Sequence, residues 1–181
     1  ESTHVFTSED LHFLTSLAAL AAEVIHRSNE YEKLRVDSAK FTFWKEVDSL
    51  MSSHLPMDKR LTTVARKLVD IVPGLTCFIY IFDDDSGRLM LQASSIRDSK
   101  GLGHLSLRSG EGLEGASLES MSDVFLVDRT EHGQIKRVYL TLPMITKGQL
   151  VGTLNGQVIS PKGLSVYHES FLKEIRTLLA D

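Results

Sequence analysis

The sequence predicts an α+β domain in which helices at both ends of the chain flank an antiparallel sheet of five or six strands. All 12 glycines lie between Gly74 and Gly163, and glycine marks turns while it destabilises helix interiors. Apolar residues before Gly74 recur at helical spacing. After it, short segments rich in β-branched and aromatic residues alternate with turns.

The first helix is expected to begin at Thr7, which forms a capping box with Asp10 three residues later. No helix breaker follows until Pro56, and a second helix is expected over 58–72. The middle of the first helix, 27–35, is mostly charged or polar, which favours a long linker helix exposed to solvent.

The glycine-containing part predicts short strands joined by tight turns, at Asp84–Gly87 and at 146–149 among others. A short helix over 113–120 and a closing helix capped by Ser165 complete the domain. The expected strands are Leu75–Asp83, Arg88–Ser95, His104–Leu107, Val124–Val127, Val138–Ile145 and Leu150–Ile159. We expect the terminal helices to cover one face of the sheet and the loops between strands to lie over the other.

The closing helix repeats a pattern that the chain contains 158 residues earlier. The corresponding pairs are Phe6 and Leu164, Thr7 and Ser165, Phe13 and Phe171, Leu14 and Leu172, Leu17 and Ile175, and Leu20 and Leu178. Internal similarity at a fixed offset indicates a repeated structural unit. We therefore expect residues 6–22 to be the closing helix of a preceding domain; a chance match between two amphipathic helices is the alternative.

Four segments resemble GAF domains, a family of small-molecule sensors related to the PAS fold. They are Leu105–Gly115 (Leu-Ser-Leu-Arg-Ser-Gly-Glu-Gly-Leu-Glu-Gly), the hairpin over 140–154, the closing helix in both copies, and the helix and strand over 61–83. The resemblance implies a GAF/PAS-like sheet over about 38–181. Residues 1–37 would then be the closing helix of a preceding domain and a linker helix. A PAS domain is the structural alternative, but its usual long helix between early and late strands is missing.

Composition limits the partners and the compartment. A net charge of −4 and a pI near 6.0 argue against a nucleic-acid partner, which needs concentrated Lys and Arg. The single cysteine, Cys77, fits a reducing compartment. The longest apolar run, Leu17–Ala22, has six residues and is too short to cross a membrane. We expect a cytoplasmic fragment of a larger signalling protein, which could itself be membrane-anchored.

Two motifs that resemble ligand-binding sequences are better explained by a structural role. The segment Gly110–Gly115 matches the dinucleotide pattern G-x-G-x-x-G, but it follows an antiparallel strand and places Glu111 and Glu114 where phosphates would lie. A tight turn into the short helix is the preferred interpretation. Asp83–Asp85 lacks calcium-loop spacing and is expected at a solvated hairpin tip.

No catalytic motif or cofactor signature is present, so we expect neither an enzyme nor a bound cofactor. Relatives that reduce free methionine sulfoxide need several cysteines. Relatives that bind bilins hold them with a cysteine in a loop or helix, whereas Cys77 is expected in a strand. Relatives that bind cyclic nucleotides carry an Asn-Lys-Phe-Asp-Glu signature that is absent from this sequence.

The resemblance implies a pocket between the free sheet face and the loops after the third and fourth strands, capped by residues 128–139. The candidate lining residues are Arg97, Glu114, Asp128, Arg129, Arg137, Tyr139 and Thr141. A charged surface loop is the alternative interpretation of this set.

The first helix carries an apolar stripe without a sheet to cover it, which indicates a homodimer. The candidate interface residues are Leu14, Leu17, Leu20, Ala21, Val24 and Ile25. The leading hypothesis is a non-catalytic regulatory module that dimerises and passes a signal along this helix to or from neighbouring domains of its parent chain. The alternative is a sensor that binds a small polar or anionic effector near Arg129 and Arg137.

Overall fold

The computed structural model describes residues 7–96 and 105–180, and the chain divides into two compact units, Glu1–Ala39 and Lys40–Asp181. The helices are α1 (Ser8–Met51), α2 (Met57–Ile71), α3 (Gly112–Ser120) and α4 (Val166–Ala180). The strands are β1 (Leu75–Asp83), β2 (Arg88–Ser94), β3 (Ser106–Leu107), β4 (Val124–Arg129), β5 (Ile135–Thr146) and β6 (Gln149–Val158). The fold is the predicted α+β class with six antiparallel strands. None of these helices is long and apolar enough to cross a membrane.

The N-terminal unit consists of the first part of α1, which begins with the predicted capping box. The Thr7 backbone N–H donates to Asp10 Oδ2 at 2.8 Å, and the Asp10 N–H donates back to Thr7 Oγ1 at 3.3 Å. Phe6, the expected apolar residue before this cap, lies outside the described residues. Within the unit the apolar stripe of α1 is exposed to solvent, and the reciprocal cap satisfies donors that the first turn of a helix leaves without partners.

The second unit is built on one sheet with strand order β3-β2-β1-β6-β5-β4. Tight turns join β1 to β2 and β5 to β6, as predicted. The latter turn is Lys147-Gly148, and both residues have positive φ, 49° and 78°, which is the geometry that a two-residue hairpin requires. The strands β1, β6 and β5 pair over most of their length and form the centre of the sheet.

The terminal helices cover one face of the sheet, which we call the helix face. Phe43 at the end of α1, Leu68 of α2 and Phe171 of α4 are buried in one cluster with Leu142 and Leu154 of the sheet. The Phe43 and Phe171 rings meet edge to face, with centroids 5.3 Å apart, an arrangement that aromatic pairs prefer.

The opposite face, which we call the α3 face, carries the residues that alternate with those of the core. Tyr80, Leu89 and Leu91 form a small buried cluster at the β1–β2 side, and α3 contacts β5 and β6. The turn before α3 needs Gly115, because a Cβ there would lie 2.5 Å from the Arg108 carbonyl oxygen. The glycine-rich segment is thus a turn into a short helix, as predicted.

Two predicted boundaries are wrong. The first helix ends at Met51 and does not continue to Pro56, because the hydroxyls of Ser52 and Ser53 bond to carbonyl oxygens of the last turn, one of them at 2.6 Å. The expected connection between the strands Val124–Val127 and Val138–Ile145 is shorter than predicted, because β4 continues to Arg129 and β5 begins at Ile135. Asp128 and Arg137 face each other on β4 and β5, and opposite charges at facing positions stabilise a strand pair. Their polarity alone had indicated a loop.

Candidate functional site

Three buried polar side chains lie side by side at the centre of the α3 face. They are Thr141 on β5 and Thr153 and Asn155 on β6, and none of the three is more than 3% exposed. We call this set the polar floor. It occupies the middle of the sheet, where apolar side chains are the rule, so its polarity requires an explanation.

The strand register brings the polar floor together. Thr141 faces Asn155 across β5 and β6, and residues that face each other across a strand pair project from the same side of the sheet. Thr153 is two residues before Asn155 and therefore shares that side. On the other edge of β6, Phe78 faces Asn155 and Tyr80 faces Thr153, so two aromatic rings border the polar floor.

Part of the polar floor has no hydrogen-bond partner. Both side-chain polar atoms of Asn155, Oδ1 and Nδ2, are buried and unpaired, and so is Thr153 Oγ1. A buried polar group without a partner costs about 1–3 kcal/mol, and most such groups in folded proteins are paired. Three unpaired atoms on neighbouring residues therefore mark a place where the chain keeps polar groups at the expense of stability.

The helix α3 places a negative charge beside this region. Burial raises the pKa of the Tyr80 phenol above its ordinary value, and the negative charge of the Glu114 carboxylate raises it further. Ser117, also on α3, is fully buried and donates from Oγ to the Ser122 carbonyl oxygen at 3.0 Å. The predicted site residue Glu114 thus lies close enough to the α3 face to act on Tyr80 electrostatically.

Four of the predicted site residues share the α3 face on β4 and β5. Arg137, Tyr139 and Thr141 alternate along β5, and Asp128 faces Arg137 from β4. The Arg137 guanidinium donates to the Tyr139 hydroxyl at 3.4 Å, and this hydrogen bond raises the pKa of Arg137. Asp128, Arg137 and Tyr139 are half-buried and form the rim of the face, whereas Thr141 is buried and belongs to the polar floor.

The two other predicted site residues do not join this group. Arg129 is exposed and donates to the Gly133 carbonyl oxygen at 2.9 Å, within the β4–β5 turn. Arg97 lies outside the described residues. Whether any of the seven residues binds a ligand stays a prediction.

Thr153 and Asn155 are not among the residues predicted from the sequence. The signal was present, because polar residues at 153, 155 and 157 alternate with Leu154 and Val158 along β6. Such alternation is typical of a strand with one face in water. Only the pairing of β6 on both edges and the cover over its α3 face turn this ordinary pattern into a buried polar floor.

No protein-family model matches the sequence, and no curated protein matches it at a significant level. Solved structures do match. The GAF domain from a phosphoenolpyruvate-protein phosphotransferase (ptsP) of Coxiella burnetii aligns with a TM-score of 0.69 at 24% identity, over 82% of this chain and 92% of that one. The GAF domain of the Acinetobacter phosphoenolpyruvate-protein phosphotransferase aligns with a TM-score of 0.64 at 25% identity, over 77% and 88%. The second unit has the fold of a GAF domain.

The GAF fold also occurs in enzymes. A free methionine-R-sulfoxide reductase from Neisseria meningitidis, solved with its substrate, aligns with a TM-score of 0.60 at 14% identity, over 80% of this chain and 87% of that one. This is a likeness of fold alone. In the second unit of this chain, the single cysteine, Cys77, is buried on the helix face, and burial raises the pKa of its thiol to about 12. At that pKa almost none of the thiol is the reactive thiolate at neutral pH.

Proposed function

We propose that this GAF domain is a non-catalytic regulatory module that forms a homodimer through the first part of α1. The observation that carries the proposal is the apolar stripe of that segment. The exposed side chains are Leu14, Leu17, Leu20, Val24 and Ile25, and no described residue of their own unit covers them. A soluble protein rarely exposes a contiguous apolar surface of this kind without a partner.

A second copy is the partner that fits the stripe. Burying a Leu, Val or Ile side chain stabilises by about 1.5–3 kcal/mol, so pairing two copies of the stripe could offset the entropy that association costs. Glu23 and Arg27 form an ion pair at 2.7 Å on the helix surface, which keeps charge beside the stripe and not within it. This arrangement resembles the apolar seam and charged flanks of paired helices.

The test is the mass of the chain in solution. Wild-type protein is expected to be a dimer by light scattering and sedimentation equilibrium. Leu17→Glu places a charge inside the stripe and should yield a monomer. Ala19→Glu adds the same charge two residues away, on the opposite side of the helix, and should leave the dimer intact. A monomeric wild type, or equal effects of the two variants, would contradict the proposal.

The regulatory role is inferred from three facts together. The chain shares its fold with GAF domains that are parts of larger phosphotransferase proteins. Its only cysteine is buried, and a single thiol cannot cycle through an intramolecular disulfide of the kind the sulfoxide reductases need. The proposed pairing of the apolar stripes would form two adjacent helices through which a change in the GAF domain would reach a neighbouring domain. Activity of the purified chain towards free methionine sulfoxide would contradict the non-catalytic role.

A second candidate function, binding of a small effector, is favoured by the unpaired atoms of Asn155 and Thr153. A ligand over the polar floor would supply the missing hydrogen bonds and recover the stability that these atoms cost. The test is a thermal-shift screen of small metabolites, in which a ligand at 100 times its dissociation constant should add about 2.7 kcal/mol. Asn155→Leu should reduce the shift of any ligand that binds over the polar floor. A ligand whose shift is unchanged by this substitution binds elsewhere.

A further inference from the structure

We infer that the effector of this GAF domain is an uncharged small molecule with an amide edge, in which an N–H and a C=O lie side by side next to a flat apolar group. The inference rests on the proposed effector site and adds the chemistry of its ligand. It departs from the sequence-based alternative of an anionic effector near Arg129 and Arg137.

The amide edge follows from Asn155. Its side chain offers two N–H donors and one carbonyl acceptor in a plane, and all of this hydrogen-bonding capacity is buried and unused. A carboxamide or lactam matches it with two parallel hydrogen bonds, the same two-point recognition by which Asn reads a base edge. A carboxylate only accepts, so it would leave the Oδ1 of Asn155 without a donor.

The absence of charge follows from the surroundings of the polar floor. Of the residues that the structure describes, those that are both buried and polar are Ser94, Ser117, Thr141, Thr153 and Asn155, and all five are uncharged. A buried carboxylate or phosphate without a cation costs several kcal/mol.

The nearest charges do not favour an anion either. Glu114 acts on Tyr80 with a negative charge, and Arg137, at the rim, faces Asp128 across the strand pair. An anion over the polar floor would therefore meet a repulsive carboxylate and a cation that is already balanced by its neighbour.

The flat apolar group follows from β1. Phe78 and Tyr80 face Asn155 and Thr153 across the strand pair, so a ligand bound to these polar atoms has aromatic rings beside it. Thr153 Oγ1, one strand repeat of roughly 7 Å from Asn155, offers a further hydrogen bond to a ligand that extends in that direction. Aromatic neighbours add stacking to the two-point contact.

Matched pairs of probes test the charge and the amide edge together. Benzamide and nicotinamide carry the amide edge on a flat ring, and benzoate and nicotinate carry a carboxylate on the same rings. Each is titrated at millimolar concentration into the full 181-residue chain, with binding followed by ligand-observed NMR. The amides are expected to bind at least about tenfold more tightly than their carboxylates, since each lost hydrogen bond to a buried group costs about 1 kcal/mol or more.

Two variants assign the binding to the polar floor. Asn155→Leu and Thr153→Val replace the unpaired groups by apolar ones of similar shape, and they should weaken amide binding about tenfold or more while raising the melting temperature of the free protein. A purely structural Asn155 would give a lower melting temperature instead. Gln149→Leu removes an exposed amide from the same strand and should change neither quantity.

The possible outcomes separate the ligand class from the site. Tighter binding of the carboxylates, lost in Asn155→Leu, would overturn the inference about charge and leave the proposed effector site standing. Amide binding that is unchanged in both variants would overturn the effector site itself. Absence of binding by either amide would overturn the inference about the ligand class.

Discussion

The same sequence pattern occurs twice in this chain, in α4 and 158 residues earlier at the start of α1, with opposite burial. The three apolar side chains of α4 that pack on the sheet, Phe171, Leu172 and Ile175, are at most 1% exposed, whereas their counterparts Phe13, Leu14 and Leu17 are 67%, 48% and 52% exposed. An amphipathic pattern therefore specifies a helix and its apolar side, but it does not specify what covers that side.

The two copies begin in the same way. Thr7 and Asp10 form the cap of α1, and at the corresponding positions the Ser165 hydroxyl accepts from the His168 backbone N–H at 3.4 Å and contacts His168 Nδ1 at 2.9 Å. Capping is a local property, because donor and acceptor lie within one turn of each other. The cap is therefore present in both copies, although the apolar side is buried in α4 and exposed in α1.

The copies differ where α4 is attached to the rest of its domain. Asp123, just before β4, pairs with Lys173 at 3.3 Å and with Arg176, both on α4. The positions that correspond to Glu169, Lys173 and Arg176 are occupied in α1 by Leu11, Thr15 and Ala18. The first copy thus has small or apolar residues in place of three charged ones, two of which pair with Asp123, and this widens its apolar side. A wider stripe suits burial between helices.

The largest expected effect compares one substitution at two corresponding positions. Leu172→Ala should lower the free energy of unfolding by about 2–5 kcal/mol, because it leaves a cavity in the packed core. Leu14→Ala should change the stability of the dissociated chain by about 0.5 kcal/mol or less and should instead weaken the proposed dimer. Urea unfolding followed by Trp44 fluorescence gives the first quantity, and sedimentation equilibrium gives the second.

Cys77 offers an independent measurement of the same contrast. Its thiol is buried on the helix face with a pKa raised to about 12, so a thiol reagent reaches it only when the core opens. Its reaction rate should rise in Leu172→Ala in proportion to the population of open molecules and stay unchanged in Leu14→Ala. Equal acceleration in both variants would mean that the first part of α1 belongs to the same cooperative core.

The attachment of α4 through Asp123 should have a smaller effect. Asp123→Asn removes the charge that binds Lys173 and Arg176, and we expect a loss of about 1–2 kcal/mol, because the pair is partly buried. Asp85→Asn is the control, since it removes the same charge at the exposed turn between β1 and β2 and should contribute little. Chemical denaturation at low and high salt distinguishes them. A loss from Asp123→Asn no larger than that of the control would show that packing alone holds α4.

The fold was predictable because its signals are local. The strand β1 occupies its predicted bounds, Leu75–Asp83, since a β-branched and aromatic run is bracketed by Gly74 and an acidic turn. The turn at Lys147-Gly148 and the caps were equally visible in a few consecutive residues. Asp128 and Arg137 lie in two paired strands, although their charges indicated a loop, because cross-strand pairing is not a local property.

The candidate site was less predictable for the same reason. Thr141 was foreseen through the family resemblance, whereas Thr153 and Asn155 were not, because their burial depends on the central place of β6 and on the cover of α3. The pattern of β6 alone indicates an exposed polar face. The tandem arrangement that the repeat suggests, with residues 1–37 as the end of a preceding domain, stays a prediction.

The smallest expected effect is a difference in pH dependence between the caps of α1 and α4. Hydrogen bonds from the Thr7 backbone N–H and then from its hydroxyl lower the pKa of Asp10 below its ordinary 3.8. Since the folded-state pKa is depressed, the cap's stabilisation is present above pH 3.8 and is lost as the pH falls through the lower, folded value. NMR titration of the Asp10 carboxyl should place its midpoint below 3.8. In Thr7→Val the midpoint should rise only part of the way back, because the stronger backbone hydrogen bond remains. Ser165→Ala in α4, where His168 replaces the carboxylate, should not change the midpoint of Asp10. An Asp10 midpoint at or above 3.8 in the wild type would show that the capping box does not form in solution.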